Sequence, residues 1–398
     1  MVYQVRPGIE TRGGRLRTYR AIGLMSGTSM DGIDVAALET DGETISRFGP
    51  SALHFYREDE VALLRRAVEE ARTLTDRHAR PGAIAEAERM VTALHAGAVR
   101  VFLDANGIDP AGIDVIGFHG QTVLHRPEEK LTVQIGDGQA LADETGIRVV
   151  YDLRAADVAA GGQGAPLVPV YHRALAVMLD RPHPIAVLNI GGVANVTFID
   201  DVPDPYACDT GPGNALIDDF MRERNGEARD ENGNAAARGR VDEAAVARVL
   251  QHSFFALKPP KSLDRNAFRE WVADRAGLAD KTIEDGAATL SAITAATVAT
   301  IVPHLPQVPQ SWIVCGGGAF NPVIMRMLAE RLAPVRVETA QEAGFDANAI
   351  EAQAFAFMAV RSLRGLPITF PTTTGVPQPM TGGMVAEPHA QSRAQAGV

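Results

Sequence analysis

The sequence predicts an α/β fold of two domains with a cleft between them. Three observations lead there. Strand-like and helix-like stretches alternate along most of the chain. A strand–turn–strand with glycines at the turn occurs twice, after Ile22 and again after Ile185. The 398 residues, 46% of them hydrophobic, suffice for two packed cores. Ligand sites favour such clefts.

In order, Tyr19-Arg20-Ala21-Ile22 and Val35-Ala36-Ala37-Leu38 read as buried strands around the first turn. Helices are expected over 61–75 and 81–106, the second with Ile84, Ala87, Val91, Leu94, Ala98 and Val101 on one face and Gly107 as its C-terminal cap. Val115–Phe118, Thr132–Ile135 and Arg148–Tyr151 are short strands, the first closed by His119-Gly120-Gln121-Thr122. Residues 157–169 form a glycine-rich loop ahead of a helix over 170–179. The second half restarts with strands at 185–189 and 195–199, a helix over 215–224 and another over 284–302. A strand at 312–315 ends in three glycines, followed by helices over 323–332 and 349–363. This divides the chain into an extension over 1–20, a first domain over 21–160 plus 365–398, and a second over 161–364.

A net charge of −11 argues against nucleic acid and anionic membrane as partners. No apolar run is expected to span a bilayer. The extension carries Arg6, Arg12, Arg15, Arg17 and Arg20 but no apolar core, so it is expected to be a mobile arm and not a secretory signal. The tail beyond Met384 is poor in large apolar residues and is expected to be disordered. Cys208 and Cys315 are the only cysteines, in no metal-type spacing, which suits a cytoplasmic protein without disulfides.

The first turn is the most informative segment. Gly27, Thr28, Ser29, Met30, Asp31, Gly32, Ile33 and Asp34 crowd glycines, hydroxyls and two carboxylates into one reversal. Glycines let backbone approach a ligand, and successive N–H groups make a concavity for anions. Asp31 or Asp34 suits Mg²⁺ or its waters. The turn is neither a Walker loop nor a dinucleotide fingerprint. Phosphate loops held in hairpins are found in the actin, hexokinase and Hsp70 type of ATPase domain, an actin-like (ribonuclease H-like) fold with its active site in the interdomain cleft.

The motifs taken together resemble the anhydro-N-acetylmuramic acid kinase family. They are GLMSGTSMDGID (23–34), GFHGQT (117–122), QIGD (134–137), DVAAGGQGAPLVP (157–169), LNIGGVAN (188–195), DTGPGN (209–214), PKS (260–262), CGGGAFNP (315–322) and AIEAQAFA (349–356). The resemblance covers about residues 21–383. It departs from the family at the arginine-rich extension and at Arg126, where an acidic residue is usual.

The resemblance implies a cytoplasmic, homodimeric, ATP- and Mg²⁺-dependent kinase of cell-wall recycling. It implies that water opens the anhydro bridge of 1,6-anhydro-N-acetylmuramic acid while O6 takes the γ-phosphate, giving N-acetylmuramic acid 6-phosphate. The family's general base maps to Asp157; the plainer reading is an Asp that braces its loop. The 27–34 turn would grip the phosphates, with Asp31 and Asp209 orienting Mg²⁺. Asn189, Gly191, Gly192 and Asn195 resemble the second phosphate loop, joined by Gly211, Gly213 and Asn214. Gly316, Gly317, Gly318 and Asn321 resemble the adenosine-binding turn; an ordinary tight turn is the alternative for both.

For the sugar, His119, Gln121, Thr122, Gln163, Gly164, Asp209 and Glu351 are candidates. His119 suits a structural role better than catalysis. Glu351 reads equally as a cleft carboxylate or an exposed helix charge. Lys261 is a candidate for the substrate's lactyl carboxylate or a phosphate but reads more readily as solvated. The alternatives in function are another sugar kinase of the superfamily, or a nucleotide-gated binding or assembly protein.

Overall fold

The computed structural model describes residues 17–27, 29–263 and 265–389. It is built on two sheets of like design. In the first, β1 (Tyr19–Met25), β2 (Gly32–Thr40) and β3 (Ile45–Phe55) form an antiparallel meander. Helices α1 (Glu58–Ala71) and α2 (Gly82–Asn106) follow. Next come β4 (Val115–Phe118), the hairpin of β5 (Gln121–Arg126) and β6 (Leu131–Ile135), and α3 (Gly138–Thr145). β7 (Val149–Tyr151) and the short α4 (Ala155–Ala159) complete this part. β4 and β7 add to β1 in parallel register.

After α5 (Pro169–Met178) the pattern repeats. β8 (Ile185–Ile190), β9 (Val193–Ile199) and β10 (Tyr206–Pro212) form the second meander. Helices α6 (Ala215–Asn225), α7 (Glu243–Val249), α8 (Arg265–Ala276) and α9 (Ile283–Ala299) lead to β11 (Ser311–Cys315), α10 (Pro322–Leu332) and β12 (Arg336–Thr339). β11 and β12 again add in parallel. Both sheets therefore run from a three-stranded meander into two parallel strands, the duplicated actin-like arrangement. Last, α11 (Ile350–Leu363) leads to β13 (Met384–Ala386), which returns to pair with β7.

The layers follow from strand alternation. Ile22, Leu24, Ile116 and Phe118 face α1, α2 and α3, while Ala186, Leu188, Val196 and Phe198 face the helices of the second half. The opposite faces share one core: Ala21, Val115 and Val150 meet Ile185, Val187 and Ile313 through α5 and α11. α11 lies inside the range 161–364 expected for the second domain, yet it packs on β1, β2 and β4.

That packing is close because two glycines face the helix. Gly23 and Gly117 are register partners on β1 and β4. A Cβ at Gly23 would lie 1.7 Å from the Ala352 carbonyl oxygen, and one at Gly117 2.0 Å from that of Phe355. The helix backbone thus rests directly on the sheet.

Several expectations need correction. Only residues 1–16 of the extension, with Arg6, Arg12 and Arg15, lie outside the described residues. Arg17 and Arg20 are anchored instead: Arg17 pairs with Asp114, whose other oxygen accepts the Arg20 N–H at 2.8 Å. Of the tail, Met384–Ala386 form β13 and Glu387 pairs with Arg148, while residues 390–398 lie outside the described residues. The segment Ile283–His304 is long and apolar enough to cross a membrane, contrary to expectation, but 78% of its most apolar window is buried in the second core. β3 and β10, where the sequence predicts no strand, are strands.

Gly23→Ala should destabilise the protein by about 3 kcal/mol in urea unfolding, because backbone must move to admit the methyl. Gly97→Ala, with open space around its Cβ inside α2, should be neutral or stabilising by about 0.5 kcal/mol.

Candidate active site

The first turn is fastened from below by the GFHGQT segment. The Ser26 hydroxyl donates to the Gly120 carbonyl at 3.0 Å, and the Gln121 amide donates to the Gly27 carbonyl at 3.1 Å. Met30 adopts φ 55°, and its N–H closes the turn on Gly27 at 3.2 Å. Ser29 donates to Asp31 at 2.7 Å, and Asp31 also takes the Gly32 N–H at 3.1 Å. Gly32 is needed for a different reason: a Cβ there would lie 2.6 Å from the His54 carbonyl of β3. Ile33 points into the outer core and not toward a ligand. Thr28 lies outside the described residues.

The Gly191–Gly192 turn interlocks with the Gly211–Asn214 turn. Gly213 and Asn214 donate their N–H groups to the Gly192 and Gly191 carbonyls at 3.0 and 2.8 Å. A Cβ on Gly213 would lie 2.2 Å from the Gly191 oxygen, and one on Gly211 2.4 Å from the Thr297 hydroxyl. Cβ atoms on Gly316 and Gly318 would lie 2.3 Å from Asn189 Oδ1 and from Ile190 Cγ2. Gly317 faces Asn214, whose amide donates to the Ile190 carbonyl at 3.2 Å. The three turns thus form one glycine-lined surface. Asn321 stands apart: its side-chain oxygen caps α10, accepting the Val323 and Ile324 N–H groups.

Register places Cys315, Asn189, Asn195 and Asp209 in one row across β11, β8, β9 and β10. Directly opposed residues share a face. Glu351, in the first turn of α11, meets this row: it accepts from the Asn189 amide at 3.3 Å. It is therefore a cleft carboxylate and not an exposed helix charge. Burial raises its proton affinity, and Asp31 adds to the effect. Asp34 is pushed up to about 7, by burial first and then by Asp31, Glu351 and Asp346. Asp209 is likewise pushed up to about 7 by burial, against the lowering effect of the Leu263 N–H it accepts at 2.8 Å.

Asp157 sits in α4 with 2% of its surface exposed. Its Oδ1 accepts the Gly164 N–H at 2.6 Å, and its Oδ2 accepts the Thr374 hydroxyl at 2.6 Å. A Cβ at Gly162 would lie 2.2 Å from Oδ1, so the glycine loop wraps the carboxylate at a distance only glycine permits. Each oxygen keeps a second lone pair. Gln163 is occupied on two sides: its N–H donates to the Thr374 carbonyl at 2.7 Å, and its side-chain oxygen accepts from Ser262 at 2.9 Å.

Arg154 connects these parts, and nothing in the motif pattern marks it. Its guanidinium donates to the Gly164 carbonyl and, 3.2 Å away, faces His119 Nε2. The same His119 ring meets the Ser26 carbonyl through Nδ1 at 3.1 Å. A guanidinium only donates, so Nε2 accepts and Nδ1 carries the proton. Burial and Arg154 depress His119 to about 3, so it stays neutral. With both nitrogens committed, His119 braces the site and has none free for sugar. Gln121 is likewise fully buried beneath the first turn. Thr122 accepts from Gln134 at 3.3 Å. Lys261, read as solvated, is buried and donates to the Phe254 carbonyl at 3.0 Å.

The sequence profile of the anhydro-N-acetylmuramic acid kinase family matches residues 19–388. The chain belongs to this family. A protein of that name from Azorhizobium caulinodans is 63% identical over 93% of this chain and 99% of its own length. One from Rhodopseudomonas palustris is 58% identical over 92% of this chain and 99% of its own. A solved structure, the Acidaminococcus fermentans (R)-2-hydroxyglutaryl-CoA dehydratase component A, overlays with a TM-score of 0.47 at 12% identity, over 87% of this chain and 99% of that one. Asp31 and Glu351 each raise the proton affinity of Asp34, yet among the described residues no three acidic, histidine or cysteine side chains converge closely enough to hold a metal ion by themselves.

The sign of the Asp34 effect is testable. Its ionised form is disfavoured in the fold, so stability falls as pH rises from its ordinary 3.8 toward about 7. Asp34→Asn should therefore unfold later in urea than the parent at pH 8, by on the order of 2 kcal/mol, with the gap closing toward pH 4. Equal midpoints at pH 8 would contradict the burial of a charged Asp34.

Proposed function

We propose that this cleft opens the anhydro bridge of 1,6-anhydro-N-acetylmuramic acid with water and passes the γ-phosphoryl group of ATP to the freed O6. The observation that carries this reading is the Asp157 carboxylate, held by two donors and still offering a lone pair on each oxygen. Asp157 takes a proton from water as the water oxygen bonds to C1. The C1–O6 bond breaks, O6 bonds to the γ-phosphorus, and ADP leaves. N-acetylmuramic acid 6-phosphate is released, and the proton passes from Asp157 to solvent.

Phosphoryl transfer rests on positioning and charge stabilisation. The 27–34 turn and the Gly191–Gly192 turn would cradle the phosphates, and the Gly316–Gly318 turn, packed against Asn189, Ile190 and Asn214, would take the nucleoside. Asp31 and Asp209 would orient Mg²⁺ through its waters, the phosphate oxygens supplying its direct ligands, since no cluster of three carboxylates is present among the described residues. Such an ion neutralises charge on the β- and γ-phosphates. Arg154 is a buried cation between His119 and the Asp157 loop, and it keeps that loop registered to the first phosphate turn. The protein is expected to work in the cytoplasm as a homodimer.

With Mg-ATP, ADP release should require the anhydro sugar and fail with N-acetylmuramic acid or N-acetylglucosamine. Turnover with an unbridged sugar would move the chain to a plain sugar kinase. Asp157→Asn should retain ATP and sugar affinity and lose ~10²-fold or more in kcat. Normal turnover in that variant would remove Asp157 from the mechanism.

A further inference from the structure

The segment Phe370–Gly375, FPTTTG, lies outside every motif that points to the chemistry, yet it reaches the carboxylate at the centre of the site. At one end it is tied to the second sheet. The Ala207 N–H at the start of β10 donates to the Thr372 carbonyl at 2.9 Å, and the Thr372 hydroxyl donates to the Pro205 carbonyl at 2.8 Å. A tight turn follows, with the Thr374 N–H donating to the Phe370 carbonyl at 3.1 Å and the Phe370 N–H donating to the Thr373 hydroxyl at 3.0 Å. Thr374, with none of its surface exposed, then meets the glycine loop twice. Its carbonyl accepts the Gln163 N–H at 2.7 Å, and its hydroxyl donates to Asp157 Oδ2 at 2.6 Å.

We propose that Thr374 is a positioning residue for Asp157, its hydroxyl fixing the rotation of the carboxylate so that a free lone pair faces the attacking water. This rests on the reading of Asp157 as the base. The Gly164 N–H grips only Oδ1 and comes from the carboxylate's own loop. Without a donor on Oδ2 the carboxyl group turns about its Cβ–Cγ bond, a torsion with broad wells. Thr374 supplies that donor from 217 positions along the chain, on a strap bonded to the strand that carries Asp209. The direction of the base is thereby tied to the opposite wall of the cleft.

The test compares Thr374→Val, of the same shape without the donor, with Thr374→Ser, which keeps the donor and loses a methyl. In steady-state kinetics with Mg-ATP and the anhydro sugar, Thr374→Val should lose roughly tenfold or more in kcat with both KM values within about twofold, and Thr374→Ser should recover most of the loss. Should the Val variant fail to fold, Thr374→Cys, a weaker donor of similar reach, should give an intermediate kcat. Parental kcat in Thr374→Val, beside an inactive Asp157→Asn, would overturn the positioning role and leave the base assignment standing. A loss in Val that Ser does not recover would also overturn it, by making shape and not the donor decisive. An active Asp157→Asn would instead defeat the underlying reading of the base.

Discussion

The close seating of α11 on the first sheet is the constraint on which the site depends. Gly23 and Gly117, side by side on β1 and β4, remove the side chains that would hold the helix away. The helix backbone then lies within van der Waals reach of the strands, and its own small residues, Ala352, Ala356 and Ala359, are fully buried there. Its N-terminal turn brings Glu351 to Asn189 of the second sheet. A helix one side chain farther out would separate Glu351 from Asp31 and Asp34 and leave the two sheets without their shared core. The same glycines begin the GLMSGTSMDGID and GFHGQT segments, so packing and ligand chemistry are written into one stretch of chain.

Around that seat, a path of hydrogen bonds runs from the first phosphate turn to Asp157. It passes from the Ser26 carbonyl through His119 and Arg154 to the Gly164 carbonyl, and the Gly164 N–H completes it at the carboxylate. The path contains a buried guanidinium, which burial pulls down to about 10 while Asp157 and Glu351 pull it back. While the buried Arg154 Nε has no hydrogen-bond partner, the network joins these groups through single hydrogen bonds. It gives the phosphate turn and the base a common frame, which two bond-making events in one cleft require.

Local signals made much of this legible. The three-and-four spacing through 84–98 and Gly107 mark α2, with Gly107 left-handed at φ 62°, but Val101, expected on the same face, is 58% exposed. The glycine turns were visible because close backbone approach leaves no other residue available. β3 was not legible: most of its residues are exposed, Leu53 and Phe55 among them, so it shows no apolar alternation, and its ladder with β2 makes it a strand. β10 was obscured by Gly211 and Pro212, which read as loop. Lys261 looked like a surface lysine because its partner, the Phe254 carbonyl, carries no sequence signature. Arg154 and Thr374 escaped notice because what they do arises from contacts with residues far along the chain.

Coupling is the central claim: one water opens the bridge while the freed oxygen takes the phosphate. Turnover in ¹⁸O-labelled water reports on it directly. The account predicts one label on C1 of the N-acetylmuramic acid 6-phosphate and none in its phosphate group. Label in phosphate, or unlabelled C1 in a phosphorylated product, would contradict it.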